Sequence, residues 1–332
     1  MEEDKKLYPF KFCSLQDEYP WGSEEFAIAD LGYRDSLVRE GWLAGNSIAE
    51  VMDTYLDRVV GDDVYAWYGR QFPVCVRHIK VRGRMPLRVH PGDEVAEQRY
   101  DALGKEKLWY ILRAGKDARI LLGFRQDSDA GTFYAKCLDG SAEELLNVVA
   151  PHAGQCLLIP SGTPHAAAGD VEILEIGEAS PLDFCLCAWG EEVHPDEFDP
   201  ALSLIEALDF IQYKRFTAPA LPGGDKLADL PQFRVERLRL PAPMVITHEA
   251  NAPFLLYCCI TGAADVQLPL PGGQSLDFPL RAGETILVPS ECTEFRLVPT
   301  GRDTALLETT VLRTETDPYI NPDAEPVLPE EE

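Results

Sequence analysis

Apolar positions along this chain recur in two rhythms, and most follow the two-residue alternation of β-strands. Short runs such as KLWYILRA (107–114), ARILLGF (118–124), GTFYAKCL (131–138), CLLIP (156–160), VEILEIGE (171–178) and DFCLCAW (183–189) are punctuated by Gly, Pro and Asp. Their β-branched and aromatic content predicts the strands of an all-β sandwich. The helical rhythm is confined to three places. Ser47 and Glu50 form a capping box ahead of Ile48, Val51, Met52, Tyr55, Leu56, Val59 and Val60, which share one helical face. A second helix is expected from Asp93 to Gly104, since glycine suits a left-handed helix end. A third is expected with Asp199 as N-cap, Pro200 in its first turn, and Leu202, Leu204, Ile205, Leu208 and Ile211 turned inward.

One segment is written twice: Gly154–Pro160 reads GQCLLIP and Gly283–Pro289 reads GETILVP. A glycine turn leading into a short apolar strand that ends at proline is a piece of a sandwich hairpin, so two copies predict two related sandwiches. FLLYCCITGAADVQL, LDFPLRAG, FRLVP and ALLETTVL supply the strands around the second copy. Within them, Cys258 and Cys259 are expected on opposite sides of one strand.

Composition then narrows the function classes. With 332 residues and 45% hydrophobic content, the chain can fill sizeable cores and is not a disordered segment. A net charge of −26 argues against a nucleic-acid partner, which needs clustered Lys and Arg to offset backbone repulsion, and favours a small-molecule ligand. Part of that charge sits at the two ends, in Glu2, Glu3, Asp4 and again in Asp323, Glu325, Glu330, Glu331 and Glu332. No apolar run approaches the roughly 20 residues that span a bilayer. The start MEEDKKLYPF has neither the basic segment nor the apolar stretch of a signal peptide, so no membrane partner and a cytoplasmic location are expected. Nine cysteines without C-x-x-C spacing suit reduced, buried thiols.

The first copy of the repeat continues as GQCLLIPSGTPHAAAG (154–169), which matches the second cupin motif and turns His165 into the sandwich interior. Upstream, MPLRVHPGDEVAEQRYDALGKEKLWYIL (85–112) resembles the signature of type I mannose-6-phosphate isomerases, commonly LSVQVHPDDE followed by GKTECWYI. EYPWGS around Trp21, EGWLAGNS around Trp42, the helix from Ser47, FPVCVRHIK ending at Lys80 and EIGEAS (175–180) extend the resemblance over most of the chain. It implies a mainly β fold of two cupin-type (jelly-roll) β-sandwich domains with helical insertions. The expected division is a catalytic-type domain over 1–200 with a helical insertion at about 40–65, a connecting helix over 201–213, a smaller cupin-like domain over 214–315 and an acidic tail over 316–332. It also implies interconversion of mannose 6-phosphate and fructose 6-phosphate with zinc as cofactor, and a carbohydrate or sugar phosphate as the small-molecule partner.

The family's zinc ligands are the Gln and His of QVH, the Glu of GKTE and the His of the second cupin motif. Here His90 and His165 stand at the two histidines, Arg88 replaces the Gln and Lys107 the Glu. A guanidinium cannot ligate a metal, and an ammonium must first lose its proton. Glu94, four residues after His90, or Glu106, through a one-residue slip, is a candidate third ligand; without one the site takes no zinc. The family's TYRLYDWGR appears as DFCLCAWGE (183–191), with Cys185 where an arginine is expected. The serine of LSVQ falls on Pro86, while Lys105 of the GK pair is kept. Three readings follow. Arg88, Lys105 and Lys107 could stabilise an enediol with Glu106 or Glu175 as base, giving a metal-free isomerase. The same cations could hold an anionic sugar without chemistry. Arg88 and Lys107 could instead serve as ion-pair partners of Asp93, Glu94 or Glu175. His78, His152, His194 and His248 have no ligand spacing.

Overall fold

A computed structural model describes residues 5–189 and 200–312, the second stretch with side chains from 203 onward. Asp199, the side chain of Leu202, His194, Gly190, Glu191 and both acidic ends lie outside the described residues. The chain opens with β1 (Leu15–Tyr19) and β2 (Gly22–Ile28), then α1 (Ile48–Tyr55), α2 (Asp57–Val60) and α3 (Asp62–Tyr68). There follow β3 (Val74–Val81), β4 (Leu87–Val89), α4 (Asp93–Tyr100), β5 (Lys107–Ala114), β6 (Arg119–Phe124) and α5 (Ala130–Leu138). Next come β7 (Leu146–Val149), β8 (Cys156–Ile159), β9 (His165–Ala168), β10 (Val171–Glu178), β11 (Phe184–Cys187) and α6 (Pro200–Ala207). The C-terminal strands are β12 (Lys226–Asp229), β13 (Arg234–Arg239), β14 (Met244–Thr247), β15 (Leu255–Thr261) and β16 (Ala263–Pro269). The last four are β17 (Ser275–Arg281), β18 (Thr285–Val288), β19 (Glu294–Pro299) and β20 (Ala305–Thr310). Among the described residues no helix is long and apolar enough to cross a membrane.

The fold is mainly β: two cupin-type sandwiches with helical insertions. One sandwich faces a six-stranded sheet, β1-β2-β3-β10-β5-β8, with a five-stranded sheet, β11-β4-β9-β6-β7. The other is made of β12-β13-β20-β15-β18 and β14-β19-β16-β17. Contacts divide the chain into two units along these lines, with Ser14–Arg34 and Val74–Leu221 in the first sandwich. The segment ending at Cys13, Asp35–Pro73 and the chain from Pro222 belong to the second. This division cuts the chain four times, whereas the division that the resemblance implies, 1–200, a connecting helix over 201–213, 214–315 and a tail over 316–332, runs linearly along the sequence. Its cause is long-range backbone pairing: the carbonyls of Val59 and Val60 accept from the N–H groups of Ser290 and Phe254 at 2.9 and 3.1 Å. Phe72 packs on Phe254 with ring centroids 4.9 Å apart. The helical insertion thus completes the C-terminal sandwich.

The capping box forms as read, with Ser47 Oγ accepting from Glu50 N–H and Glu50 Oε2 from Ser47 N–H. The helix it starts is shorter than its apolar stripe, because Leu56 leaves helical geometry at φ 52° and Val59 and Val60 belong to α2. The second helix ends at Asp101, which takes the left-handed conformation expected of Gly104. Gly104 is instead required by close approach, since a Cβ there would lie 2.3 Å from the Asp93 backbone nitrogen. In the third helix Leu204 and Ile211 are buried, yet Ile205 is 52% exposed and the helix stops at Ala207.

GTFYAKCL is a helix, α5, and not the strand its residues suggest. Asp129 caps it, accepting from Thr132 N–H at 2.9 Å, and Phe133 and Cys137, four residues apart, turn into the core. Side-chain capping and the i, i+4 pair outweigh the weak alternation of a short aromatic run.

Candidate active site

The interior of the first sandwich is where the charged residues meet. Strand register puts Arg77, Glu175 and Trp109 opposite one another across β3, β10 and β5, and puts Cys75, Gly177 and Lys107 in the next inward row. On the facing sheet, Cys185, Arg88, His165 and Leu122 form one row across β11, β4, β9 and β6. Residues directly opposite in antiparallel strands point to the same side, so these rows bring basic and acidic groups into one enclosed space. Gly177 makes room for its neighbour, since a Cβ there would lie 2.8 Å from that of Lys107.

Glu175 is the hub. Arg77 Nε donates to its Oε1 at 2.7 Å and a second guanidinium nitrogen reinforces that contact. Trp109 Nε1 donates to its Oε2 at 2.7 Å, and Lys107 Nζ lies 3.3 Å from the same oxygen. Asp183 collects Arg77 and Lys105 at 3.0 Å and Lys107 at 3.5 Å. Glu24 takes Arg77 at 3.3 Å and Arg88 at 2.5 Å. Four cations thus face three carboxylates. Isolated buried charges would be prohibitive, and pairing of this density is what makes them tolerable.

The electrostatics follow. Burial alone would raise the carboxyl of Glu175, but Arg77 and Lys107 outweigh it and hold the group well below the usual carboxylate range. Asp183 is depressed likewise, with Lys105, Lys107 and Arg77 overcoming burial. Burial pushes the Lys107 ammonium down against the pull of Asp183 and Glu175. Both imidazoles are held neutral by burial and then by Lys107, His165 down to about 3 and His90 well below its ordinary value. Their rings lie 5.2 Å apart, and Trp109 packs edge-on against His165 at 5.4 Å. His165 Nδ1 sits 2.9 Å from the Thr163 carbonyl, which makes Nδ1 the protonated nitrogen and leaves a lone pair on Nε2. His165 Nε2 and both ring nitrogens of His90 have no hydrogen-bond partner among the described residues.

Of the sequence-predicted residues, Arg88, His90, Lys105, Lys107, His165 and Glu175 all lie buried in this one interior. Glu94 and Glu106 do not join them as ligands. Glu94 is exposed on α4. Glu106, on the opposite phase to Lys107, accepts from Ser161 N–H at 3.0 Å. Burial raises its carboxyl against that bond. Arg88 pairs with Glu24 and not with Asp93 or Glu94, while Lys107 does take Glu175. Sequence reasoning misses Glu24, Arg77 and Asp183. The available signal is a charged residue at an inward phase of an apolar strand, as Arg77 is within VCVRHIKV.

The residues do not fit the zinc set that the resemblance implies. Two neutral imidazoles are suitable donors, but the other two positions hold a guanidinium and an ammonium, and the nearby carboxylates are engaged by cations. Among the described residues, no group of three His, Cys, Asp or Glu is arranged to hold a metal ion. Beside the network a small cleft opens to solvent, lined among others by Tyr33, Arg77, Lys105, Ser180 and Asp183.

Comparison with known proteins points one way. No family model matches the chain. It is 28% identical over 162 residues to a probable mannose-6-phosphate isomerase, GmuF, of Bacillus subtilis, covering 48% of this chain and 50% of the relative. It is 26% identical over 202 residues to the mannose-6-phosphate isomerase ManA of the same organism, covering 54% and 60%. The chain therefore spans about half to three fifths of the length of the curated relatives it matches. The crystal structure of a mannose 6-phosphate isomerase from Bacillus subtilis superposes with a TM-score of 0.74 at 18% identity, over 91% of this chain and 99% of that one. A putative mannosephosphate isomerase from Archaeoglobus fulgidus gives 0.71 at 18% identity, over 92% and 99%. These likenesses make the chain similar in sequence and in its cupin-type fold to mannose-6-phosphate isomerases.

Proposed function

We propose that this chain is a mannose-6-phosphate isomerase-like protein that takes a phosphorylated hexose in the cleft of the first sandwich, with interconversion of mannose 6-phosphate and fructose 6-phosphate as its reaction. The observation that supports this reading is the cleft lining, where Lys105 and Arg77 lie beside Ser180 and Tyr33 at the edge of a solvent opening. Cations and hydroxyls at a half-open mouth suit a phosphate or a sugar hydroxyl. Aldose–ketose isomerisation moves one proton between adjacent carbons through an enediol, and needs a base together with positive charge at the developing oxyanion. In this reading Lys105 and Lys107 supply that charge, Arg88 orients Glu24 beside them, and Glu175 or Glu106 takes the proton.

A specific observation favours a second reading, binding without turnover. A base matched to neutral pH needs a raised carboxyl. Glu175 is instead clamped by Arg77, Trp109 and Lys107, and Glu106, though raised by burial, sits on the opposite strand phase to Lys107 with its Oε1 held by Ser161 N–H. One experiment separates the two. Purified protein is incubated with mannose 6-phosphate, conversion is followed by ¹³C NMR, and binding is followed by thermal shift. Turnover that is lost in Lys107→Ala and Arg88→Ala supports the isomerase. Stabilisation without turnover supports the binding protein, and neither signal with mannose or fructose 6-phosphate overturns both.

A further inference from the structure

The charge balance inside the first sandwich leads to a conclusion that does not depend on which sugar the cleft takes. Lys107 Nζ belongs to a side chain only 1% exposed, between Glu175 Oε2 at 3.3 Å and Asp183 Oδ1 at 3.5 Å. Two residues along β5, Trp109 shares the same Glu175 oxygen through its indole N–H and presents its ring edge to His165. His165 in turn faces His90 at 5.2 Å. One side of this enclosure is therefore two carboxylates. The other is a pair of neutral imidazoles with buried, unpartnered nitrogens, of which His165 Nε2 is a lone pair by virtue of the Thr163 carbonyl.

Two acids flank the ammonium directly, and two lone-pair donors lie beyond Trp109 in the same interior, surroundings suited to a small cation. We propose that the Lys107 ammonium is that cation: a tethered positive charge standing where a divalent metal would otherwise be held, so that the native chain excludes the metal and a ligating side chain at 107 admits it. The ammonium satisfies the carboxylates by Coulomb attraction and needs no coordination bond, which leaves the imidazoles unligated. A carboxylate at 107 reverses both features. It removes the competing charge and adds an anionic oxygen to two imidazole nitrogens, the mixed N and O donor set that divalent transition metals favour.

Cobalt(II) is the probe, because its visible absorption reports coordination independently of any sugar chemistry. The native protein, Lys107→Glu and Lys107→His are titrated with cobalt chloride after exhaustive chelation and dialysis, following the visible spectrum and the thermal midpoint. The expected result is about one equivalent bound by each folded variant, with a visible band and a raised midpoint. Binding by the native chain should be weaker by at least about 100-fold, since a stable site for such a metal takes three protein ligands and the native chain offers two. Lys107→His carries no charge, so it remains informative if the extra carboxylate of Lys107→Glu prevents folding. A native chain that takes one equivalent with the same spectrum overturns the proposal, whatever the variants do. So does a folded variant that takes none.

Discussion

The two sandwiches start from the same repeated segment and fill their interiors in opposite ways. In the first, GQCLLIP leads after Pro160 to His165, which begins β9 and points inward among Arg88, Trp109 and His90. In the second, GETILVP leads after Pro289 to Glu294, which begins β19 and is exposed, while Phe295, the next residue, is fully buried. A shift of one position exchanges the face that a strand presents, so the second interior closes on Phe295, Tyr257, Val266, Ile286 and Leu306. The lesson concerns what each interior can do. An apolar core is stable without help and recognises nothing polar. A charged one must be paired at every group, and the pairing that keeps it folded is also the equipment with which it could meet a ligand.

The sharpest way to break this contrast is Arg77→Met, which leaves Glu24, Glu175 and Asp183 short of a shared partner. A loss of about 3–5 kcal/mol in urea unfolding is expected, in line with removal of one member of a buried charge network. A loss below about 1 kcal/mol would mean that the network is not structurally coupled, since that is the range of exposed pairs.

Acid should affect the two interiors in opposite senses. His90 and His165 are neutral in the fold, whereas unfolded imidazoles take up a proton near 6.5. The unfolded chain therefore binds more protons, and their contribution to stability falls as the pH drops below about 6.5, for His165 down to about 3. Glu175 and Asp183, depressed in the fold, add to this loss below about pH 4, the ordinary carboxylate value. Glu308 in the C-terminal sandwich is raised by burial, so its contribution is most favourable at low pH and is lost as the pH rises. Amide exchange should show β9 and β4 losing protection between about pH 7 and 5, the window in which an unfolded imidazole titrates, while β15 and β20 hold theirs. Equal loss in both would refute the contrast.

A milder test lies wholly within the C-terminal sandwich. Tyr257 donates to Glu308 Oε2 at 2.7 Å, and Tyr257→Phe should cost about 1 kcal/mol, as loss of a single hydrogen bond does. Its effect on phosphate-sugar binding should be nil. The smallest effect is expected from Glu94→Ala, which should leave both the unfolding midpoint and the cobalt titration of the Lys107 variants unchanged, because Glu94 faces solvent. A change in the cobalt spectrum would restore Glu94 as a ligand.

Local patterns in the chain were sufficient for several features of this molecule. The Ser47–Glu50 box starts α1, KLWYILRA is β5 from end to end, and the repeated glycine-to-proline segment marks both sandwiches. His90, His165, Lys105 and Lys107 were legible because they stand at motif positions of the resemblance, and His165 and Lys107 also lie at inward phases of β9 and β5. What only the tertiary structure decided is who neutralises them. Arg77 reaches Glu24, Glu175 and Asp183 across 53, 98 and 106 residues of chain. No periodicity encodes such distances. Those partners are set by sheet order and register, which pair β3 with β10 and β10 with β5, and by the packing of one sheet against the other. The division of the chain has the same origin, since hydrogen bonds from Phe254 and Ser290, far along the sequence, tie the early helices to the C-terminal sandwich. Sequence carries the phase of each strand, but the charge balance of a buried site is a property of strands brought together.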